Sequence, residues 1–291
     1  MSDFLLQAVH RYTKMHANAA GIAVTPVPGL LLISGTAPGE LEHAIANPLI
    51  CLVLQGSKRV NICNQDTVFN AGDSMIVTSN VPTISRISKA SATTPYLAIA
   101  LDLDTAVIAD LDMCLTSDLS EEASTCTDAD LYDAMLRLVQ LLERPVSLEV
   151  LQKQLVREIH YWLLLGRQGQ AIRSLGLPKS RVRRIASAVA LLRSEYTRPL
   201  PIERLAAAAN MSRSAFHKHF RAVTSLSPLQ FQKQLRLIEA RQLIFAKGMT
   251  PSSAAFEVGY ESVSQFTREY ARLYGLPPAK DRRMVAKVMS K

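Results

Sequence analysis

Residues 202–221 read IERLAAAANMSRSAFHKHFR and combine the features of a helix-turn-helix. The Ala-rich first segment is small enough for a second helix to cross it closely. Asn210 suits the turn because it tolerates the left-handed conformation, and Ser212 is a favourable cap for the next helix. Phe216 and Phe220 are four residues apart and so face inward together. The opposite face presents donors suited to phosphates and base edges, namely Arg213, Ser214, His217, Lys218 and Arg221.

Residues 252–272 repeat this organisation further along the chain. An Ala-containing segment ends at Gly259, at a turn where glycine is free to take a positive φ. The helix that follows is expected to bury Phe266 and Tyr270. Its outward face presents Ser264, Gln265, Arg268 and Arg272. The sequence therefore predicts two helices that could read DNA.

The charge is divided unequally along the chain. Residues 173–291 hold 22 Lys and Arg against 7 Asp and Glu, a net +15, and the remaining residues hold 11 against 18, a net −7. A difference of this size suggests that one half meets a polyanion and the other does not. We therefore expect the C-terminal half to bind nucleic acid.

The features of residues 185–283 occur in a characteristic order: Leu205-Ala206, Met211-Ser212, Phe216, Phe220, Ser227-Pro228, Leu235-Arg236-Leu237, Ala240-Arg241, Leu243-Ile244, Val258-Gly259-Tyr260, Ser264-Gln265-Phe266, Arg268 and Tyr274-Gly275-Leu276-Pro277-Pro278. In this order they resemble the DNA-binding domain of the AraC/XylS family of bacterial transcription regulators. The resemblance implies a DNA-binding domain at 181–291 whose two reading helices are placed by a long helix. It also implies that the residues facing the major groove are Ser214, His217, Lys218, Ser264, Gln265 and Arg268. Ser225 departs from the family pattern, in which a glycine usually ends the first reading helix.

The N-terminal half contains short β-rich runs separated by turn clusters. The runs are Leu30 to Ser34, Leu49 to Leu54, Lys58 to Cys63, Ser74 to Thr78 and Tyr96 to Leu101. Such spacing predicts an antiparallel barrel or sandwich. The stretches 48–58, 72–73 and 95–99 resemble the barrel domain that precedes the DNA-binding module in one branch of the same family, which implies a cupin-like fold.

We therefore predict an α+β multidomain chain. An N-terminal cupin-like β-barrel at about 28–104, with an αα-hairpin at about 128–166, forms an effector-sensing and dimerisation domain at 1–170. A linker at 171–180, inferred from its Gly and Pro content, leads to the all-α double helix-turn-helix domain.

The hairpin carries an apolar stripe at helical spacing. Two interpretations stay open: the stripe packs on the barrel of its own chain, or it forms the seam of a homodimer. The residues predicted for the seam are Leu131, Met135, Leu138, Leu142, Leu151 and Leu155.

The barrel offers few groups for chemistry. Cupin enzymes hold metals through several His and a carboxylate, and His43 is the one His in this segment, so no metal, cofactor or catalytic residue is expected. Polar residues on or beside strands could bind a small effector, namely His43, Lys58, Arg86 and Tyr96. One alternative is a regulator that responds to electrophiles through Cys51 or Cys63. A second is a ligand-independent regulator, and a cupin-type enzyme is the least favoured class.

The N-terminus lacks the pattern of a secretory signal, and no apolar run approaches the roughly 18 residues of a membrane span. We therefore expect a cytoplasmic protein without a membrane partner. The expected function is sequence-specific transcription regulation as an activator, with repression as an alternative that the sequence leaves open. The expected partners are operator or promoter DNA, a second copy of the chain, a small-molecule effector and RNA polymerase.

Overall fold

The computed structural model describes residues 2–62, 65–115, 128–177 and 180–289. The chain divides into two compact units, Met1–Arg183 (unit 1) and Arg184–Lys291 (unit 2). Unit 1 combines helices with antiparallel strands, whereas the described residues of unit 2 form helices and turns. The predicted α+β multidomain class is confirmed.

Unit 1 begins with helix α1 (Ser2–His16) and continues into two antiparallel sheets. Its strands are β1 (Ile22–Val24), β2 (Leu30–Gly35), β3 (Glu42–Ala46), β4 (Leu49–Gln55), β5 (Ser57–Ile62), β6 (Gln65–Asn70), β7 (Ser74–Val77), β8 (Val81–Lys89) and β9 (Tyr96–Asp102). The five-stranded sheet has the order β1-β2-β9-β4-β7, and the four-stranded sheet has the order β3-β8-β5-β6. The five predicted strands correspond to β2, β4, β5, β7 and β9.

The central strands of the five-stranded sheet are buried on both faces, which explains their continuous apolar runs. Alternate residues such as Ile50 and Leu52 pack with the helices. The residues between them, such as Cys51 and Val53, form a second core with Tyr96 that also contacts residues of the four-stranded sheet. This second core lies between the two sheets.

The sheets are followed by α2 (Thr105–Cys114), α3 (Asp128–Leu141), α4 (Pro145–Leu165) and α5 (Gly169–Gly176). Helices α3 and α4 form the predicted hairpin. Its apolar stripe is largely core: the side chains buried within unit 1 are Leu131, Met135, Leu138, Leu142 and Leu155. Leu151, by contrast, is 44% exposed. For the five buried residues this favours packing within the chain, because the apolar stripe of an amphipathic helix faces the core, and here α3 packs on α1 and α4.

Helix α5 lies where the sequence predicts the start of a linker. Ile172 and Leu175 are buried in the core of unit 1. The segment 171–176 is therefore part of a packed helix, since two apolar side chains at i, i+3 outweigh the two glycines of α5, Gly169 and Gly176. The unit boundary falls later than predicted, after Arg183.

Helix α6 (Arg181–Ser194) begins just before this boundary. The rest of unit 2 comprises α7 (Ile202–Ala208), α8 (Arg213–Thr224), α9 (Pro228–Ala246), α10 (Pro251–Glu257), α11 (Val263–Tyr274) and α12 (Pro278–Met289). Among the described residues of the whole chain, no helix is both long and apolar enough to span a membrane.

Candidate nucleic-acid interface

The first helix-turn-helix is formed by α7 and α8. Asn210 takes the left-handed conformation at φ 50°, as predicted. The Ser212 Oγ accepts a hydrogen bond from the Ala215 N–H at 3.4 Å and caps α8. Phe216 and Phe220 are fully buried, with ring centroids 5.3 Å apart. These local residues determine both the turn and the inward face of α8.

The opposite face of α8 is exposed. It carries the five predicted donors Arg213, Ser214, His217, Lys218 and Arg221. Arg213 also forms an ion pair with Glu203 of α7 at 3.1 Å. Both side chains of this pair are exposed, so the pair adds little stability and a phosphate could replace Glu203.

The second helix-turn-helix is formed by α10 and α11. Gly259 has φ 87° at the turn, and a Cβ there would overlap the carbonyl oxygen of Thr197. The Ser262 Oγ accepts from the Gln265 N–H at 3.3 Å and caps α11. Phe266 and Tyr270 are buried as predicted. The predicted DNA-facing residues Ser264, Arg268 and Arg272 are exposed, and Gln265 is half-buried.

The two motifs are joined by α9, which packs against both. Phe231 of α9 contacts Phe220 of α8, with ring centroids 5.6 Å apart. Arg236 of α9 donates to the Tyr196 carbonyl at 2.7 Å and to the Gly259 carbonyl at 2.9 Å. These contacts fix the turn of the second motif relative to the first, so α8 and α11 are presented by one rigid element.

A second polar cluster anchors α12. The Arg241 Nε donates to Asp281 Oδ2 at 3.0 Å, and the Tyr270 hydroxyl donates to the same oxygen at 2.7 Å. The side chain of Asp281 is 10% exposed, so both donors are needed to offset the burial of its charge. The cluster ties the reading helix α11 to α9 and α12.

Glu269 is a polar residue of α11 that the sequence analysis does not single out. Its carboxylate accepts from the Lys233 Nζ at 2.7 Å, the Tyr260 hydroxyl at 2.8 Å and the Gln265 Nε2 at 3.3 Å. Burial alone would raise the pKa of Glu269, but hydrogen bonds from Lys233 and Tyr260 lower it below its ordinary value. The one signal in the sequence is an acidic residue four positions after Gln265 in a strongly basic domain.

The four effector candidates of unit 1 have different environments. Tyr96 is fully buried between the sheets, beside the Cys51 thiol. Lys58 lies opposite Phe69 and Ile87 in the strand register, and both of these pack on the Tyr96 cluster. Lys58 therefore lies on the face of the four-stranded sheet that is directed toward Tyr96.

The other two candidates lie elsewhere on the four-stranded sheet. Arg86 is exposed and lies opposite Arg59, on the face away from the second core. The half-buried His43 lies opposite Ile84, which is next but one to Arg86 along β8 and so shares its outward face. The structure does not bring these two residues to Tyr96.

Glu42 is an acidic neighbour that the sequence analysis missed. Its Oε2 lies 4.0 Å from the Lys58 Nζ. Burial raises the pKa of the Cys51 thiol, which disfavours the reactive thiolate. Cys63 lies outside the described residues. Among the described residues, no group of three or more His, Cys, Asp and Glu could hold a metal ion.

Comparison with known proteins identifies the class. Residues 26–171, half of the chain, match the family model described as the AraC-type transcriptional regulator N-terminus. Residues 205–284 match a helix-turn-helix domain model. The chain therefore belongs to the AraC/XylS family of transcription regulators.

Curated relatives match part of the chain. The regulator GbdR of Pseudomonas aeruginosa is 32% identical over 94 residues, which are 32% of this chain and 26% of GbdR. The virulence regulon transcriptional activator VirF of Yersinia enterocolitica is 27% identical over 157 residues, 52% of this chain and 56% of VirF. The chain thus spans about a quarter to a half of these relatives.

Solved structures share the overall fold. The apo form of a ToxT variant from Vibrio cholerae superposes with a TM-score of 0.57 at 13% identity, covering 88% of this chain and 97% of ToxT. Wild-type ToxT bound to an unsaturated fatty acid gives 0.51 at 12% identity, covering 87% and 93%. At such identities the likeness shows the fold alone.

Proposed function

We propose that this chain is a sequence-specific regulator of transcription that binds double-stranded DNA through unit 2. In this proposal α8 and α11 enter successive segments of the major groove, with their N-terminal residues at the base edges. The observation that carries it is the pair of capped helices fixed on α9, each with a buried aromatic face and an exposed face of donors. The net +15 of residues 173–291 supports phosphate contacts.

A small molecule bound between the sheets of unit 1 would control this activity. The Tyr96 hydroxyl is buried beside the Cys51 thiol, a weak hydrogen-bonding group, and has no oxygen or nitrogen partner among the residues that the structure describes. A buried polar group without such a partner is costly, and a ligand oxygen would satisfy it. Lys58 and Glu42 lie on the same side and could hold a charged end of that ligand. Of the four predicted effector residues, Tyr96 and Lys58 support this proposal.

A homodimer would require a face other than the buried stripe. On α4 the side chains of Val146, Val150 and Leu151 are 81%, 64% and 44% exposed. They are spaced at i, i+4 and i+5 and so form one surface. Because exposed apolar residues in a group mark interaction sites, we place the dimer contact here.

The remaining partners follow from the proposed role. A regulator of this class acts in the cytoplasm, where its DNA is, and carries no catalytic site. As an activator it would contact RNA polymerase beside its operator. VirF, the relative from Yersinia enterocolitica, is itself described as a transcriptional activator.

Binding-site selection tests the central proposal. The full chain is incubated with a pool of randomised DNA duplexes, and bound duplexes are amplified and sequenced. We expect enrichment of one bipartite sequence. If six or more phosphates are contacted, the affinity of the chain for the selected duplex should fall roughly a thousandfold or more between 50 and 200 mM salt. A pool that remains random, or an affinity that does not respond to salt, would refute it.

A further inference from the structure

Glu269 lies at the centre of a four-residue polar cluster on the inner edge of the second reading helix. The side chain of Glu269 is 12% exposed. Lys233 comes from α9 and Tyr260 from the turn between α10 and α11, whereas Gln265 lies one helical turn before Glu269 in α11. Glu269 therefore connects the scaffold directly to a residue predicted to read a base.

The chemistry of Glu269 fixes which way the Gln265 amide points. The carboxylate is held by a cationic donor and a hydroxyl donor, which favour its ionised form. An ionised carboxylate only accepts hydrogen bonds. The NH₂ group of Gln265 must therefore face Glu269, as observed at 3.3 Å, and the Gln265 Oε1 must face away.

An amide in this orientation suits adenine and opposes guanine. In the major groove adenine presents an amino donor and the N7 acceptor. The Gln265 Oε1 can accept from the amino group, and the amide N–H that does not bind Glu269 can donate to N7. Guanine presents two acceptors, O6 and N7. To donate to O6, the amide would have to turn over and bring its oxygen against the Glu269 carboxylate.

We propose that Glu269 is a positioning residue that sets the base preference of Gln265 for adenine over guanine. The proposal rests on the proposed function, in which α11 reads the major groove. A well-formed amide pair with adenine discriminates against a wrong base by roughly 5- to 150-fold. Glu269 contributes the part of that preference that depends on the amide being held in one orientation.

The experiment compares variants of the full chain in binding-site selection from the same randomised duplex pool. Gln265→Ala identifies the position in the selected sequence that Gln265 reads. Glu269→Ala removes the acceptor, whereas Glu269→Gln keeps the volume and replaces the carboxylate with a group that both donates and accepts. Tyr260→Phe is the matched control, because it removes another hydrogen bond to Glu269 and leaves the contact with Gln265 intact.

We expect the wild-type chain to select adenine at the Gln265 position. Both Glu269 variants should lower the adenine-to-guanine ratio there by roughly fivefold or more, with the other positions unchanged. Tyr260→Phe should melt at a lower temperature and keep the wild-type ratio. Circular dichroism of each variant checks that it is folded.

Three outcomes would overturn the inference. The first is a wild-type ratio at the Gln265 position in folded Glu269→Gln, and the second is a wild-type preference for guanine at that position. The third is a Gln265→Ala chain that selects the wild-type sequence. In each of these the wild-type chain still enriches a site, so the proposed function stands. Failure of the wild-type chain to enrich any sequence overturns both.

Discussion

Ser225 and Gly275 end the two reading helices in the same left-handed conformation, at φ 62° and φ 77°. Each donates its backbone N–H to the carbonyl four residues back, Ser225 to Arg221 and Gly275 to Ala271, both at 2.8 Å. Two helices of equal length therefore end in the same way with different residues. A residue other than glycine is strained in this conformation.

Exchanging these two caps tests that strain. Ser225→Gly should stabilise the protein by about 0.5–1 kcal/mol, because glycine relieves the strained conformation. Gly275→Ser should destabilise it by a similar amount, and a Cβ at Gly275 meets no atom within 4 Å among the described residues, so strain is the whole effect. Urea unfolding measures both. Equal stabilities for all three proteins would contradict this account of the cap.

A second prediction concerns Gly259. Gly259→Ala should destabilise by about 3 kcal/mol or more, because the added Cβ overlaps the Thr197 carbonyl in addition to the positive φ. Gly248 is the matched control, since it has φ 67° and a Cβ there would meet no atom of the described part of the chain within 4 Å. Gly248→Ala should cost about 1 kcal/mol, the strain alone. If the two variants melt at the same temperature, the close approach to Thr197 is not what requires glycine.

A third prediction separates core from interface in the hairpin. Leu138 is fully buried in unit 1, so Leu138→Asp should prevent folding or lower stability by more than about 3 kcal/mol. Val150→Asp lies on the exposed face of α4 and should leave the melting temperature within a few degrees. Sedimentation should then show Val150→Asp as a monomer and the wild-type chain as a dimer. A dimeric Val150→Asp chain would place the contact elsewhere.

A fourth prediction concerns pH. His160 is fully buried, its Nδ1 donates to the Val156 carbonyl at 2.7 Å, and its Nε2 accepts from the Asp104 N–H at 2.9 Å. Burial lowers the pKa of His160 below its ordinary value of 6.5. The unfolded chain therefore binds a proton before the folded chain does. The contribution of neutral His160 to the free energy of unfolding is then fully present above pH 6.5. It is lost as the pH falls below 6.5, by up to about 1.4 kcal/mol per pH unit.

Urea unfolding at pH 7.5, 6.5 and 5.5 checks this dependence. His160→Gln should be less stable at neutral pH and show a shallower loss between pH 6.5 and 5.5. His217→Gln, at an exposed position, should keep the wild-type slope. The same slope in both variants would assign the pH dependence to other groups.

The local features of unit 2 could be predicted because short-range rules decide them. Asn210, Ser212 and Gly259 each satisfy a requirement of a turn or a cap, and the structure confirms all three. Strand β8 was missed because Pro82 reads as a turn, although proline is tolerated near the start of a strand. Glu269 was missed because Lys233, 36 residues away, reaches it only through tertiary packing.

The apolar stripe of α3 and α4 shows a different limit. Its periodicity correctly indicates buried faces, but amphipathicity does not say what covers them. Within the same unit, Leu138 and its neighbours share one core with α1 and the five-stranded sheet, and α3 packs on α1 and α4. The difference in net charge between the two halves could be read from the sequence, since net charge depends on composition and not on packing.

Footprinting of the full chain on its selected duplex tests the two-helix readout most directly. We expect two protected major-groove segments on one face of the DNA, about 10 base pairs apart from centre to centre. His217→Ala and Lys218→Ala should relax specificity in one segment, and Gln265→Ala and Arg268→Ala in the other, at about 1–3 kcal/mol for each base-reading residue. A single protected segment, or equal losses on specific and random DNA for all four variants, would contradict the two-helix readout.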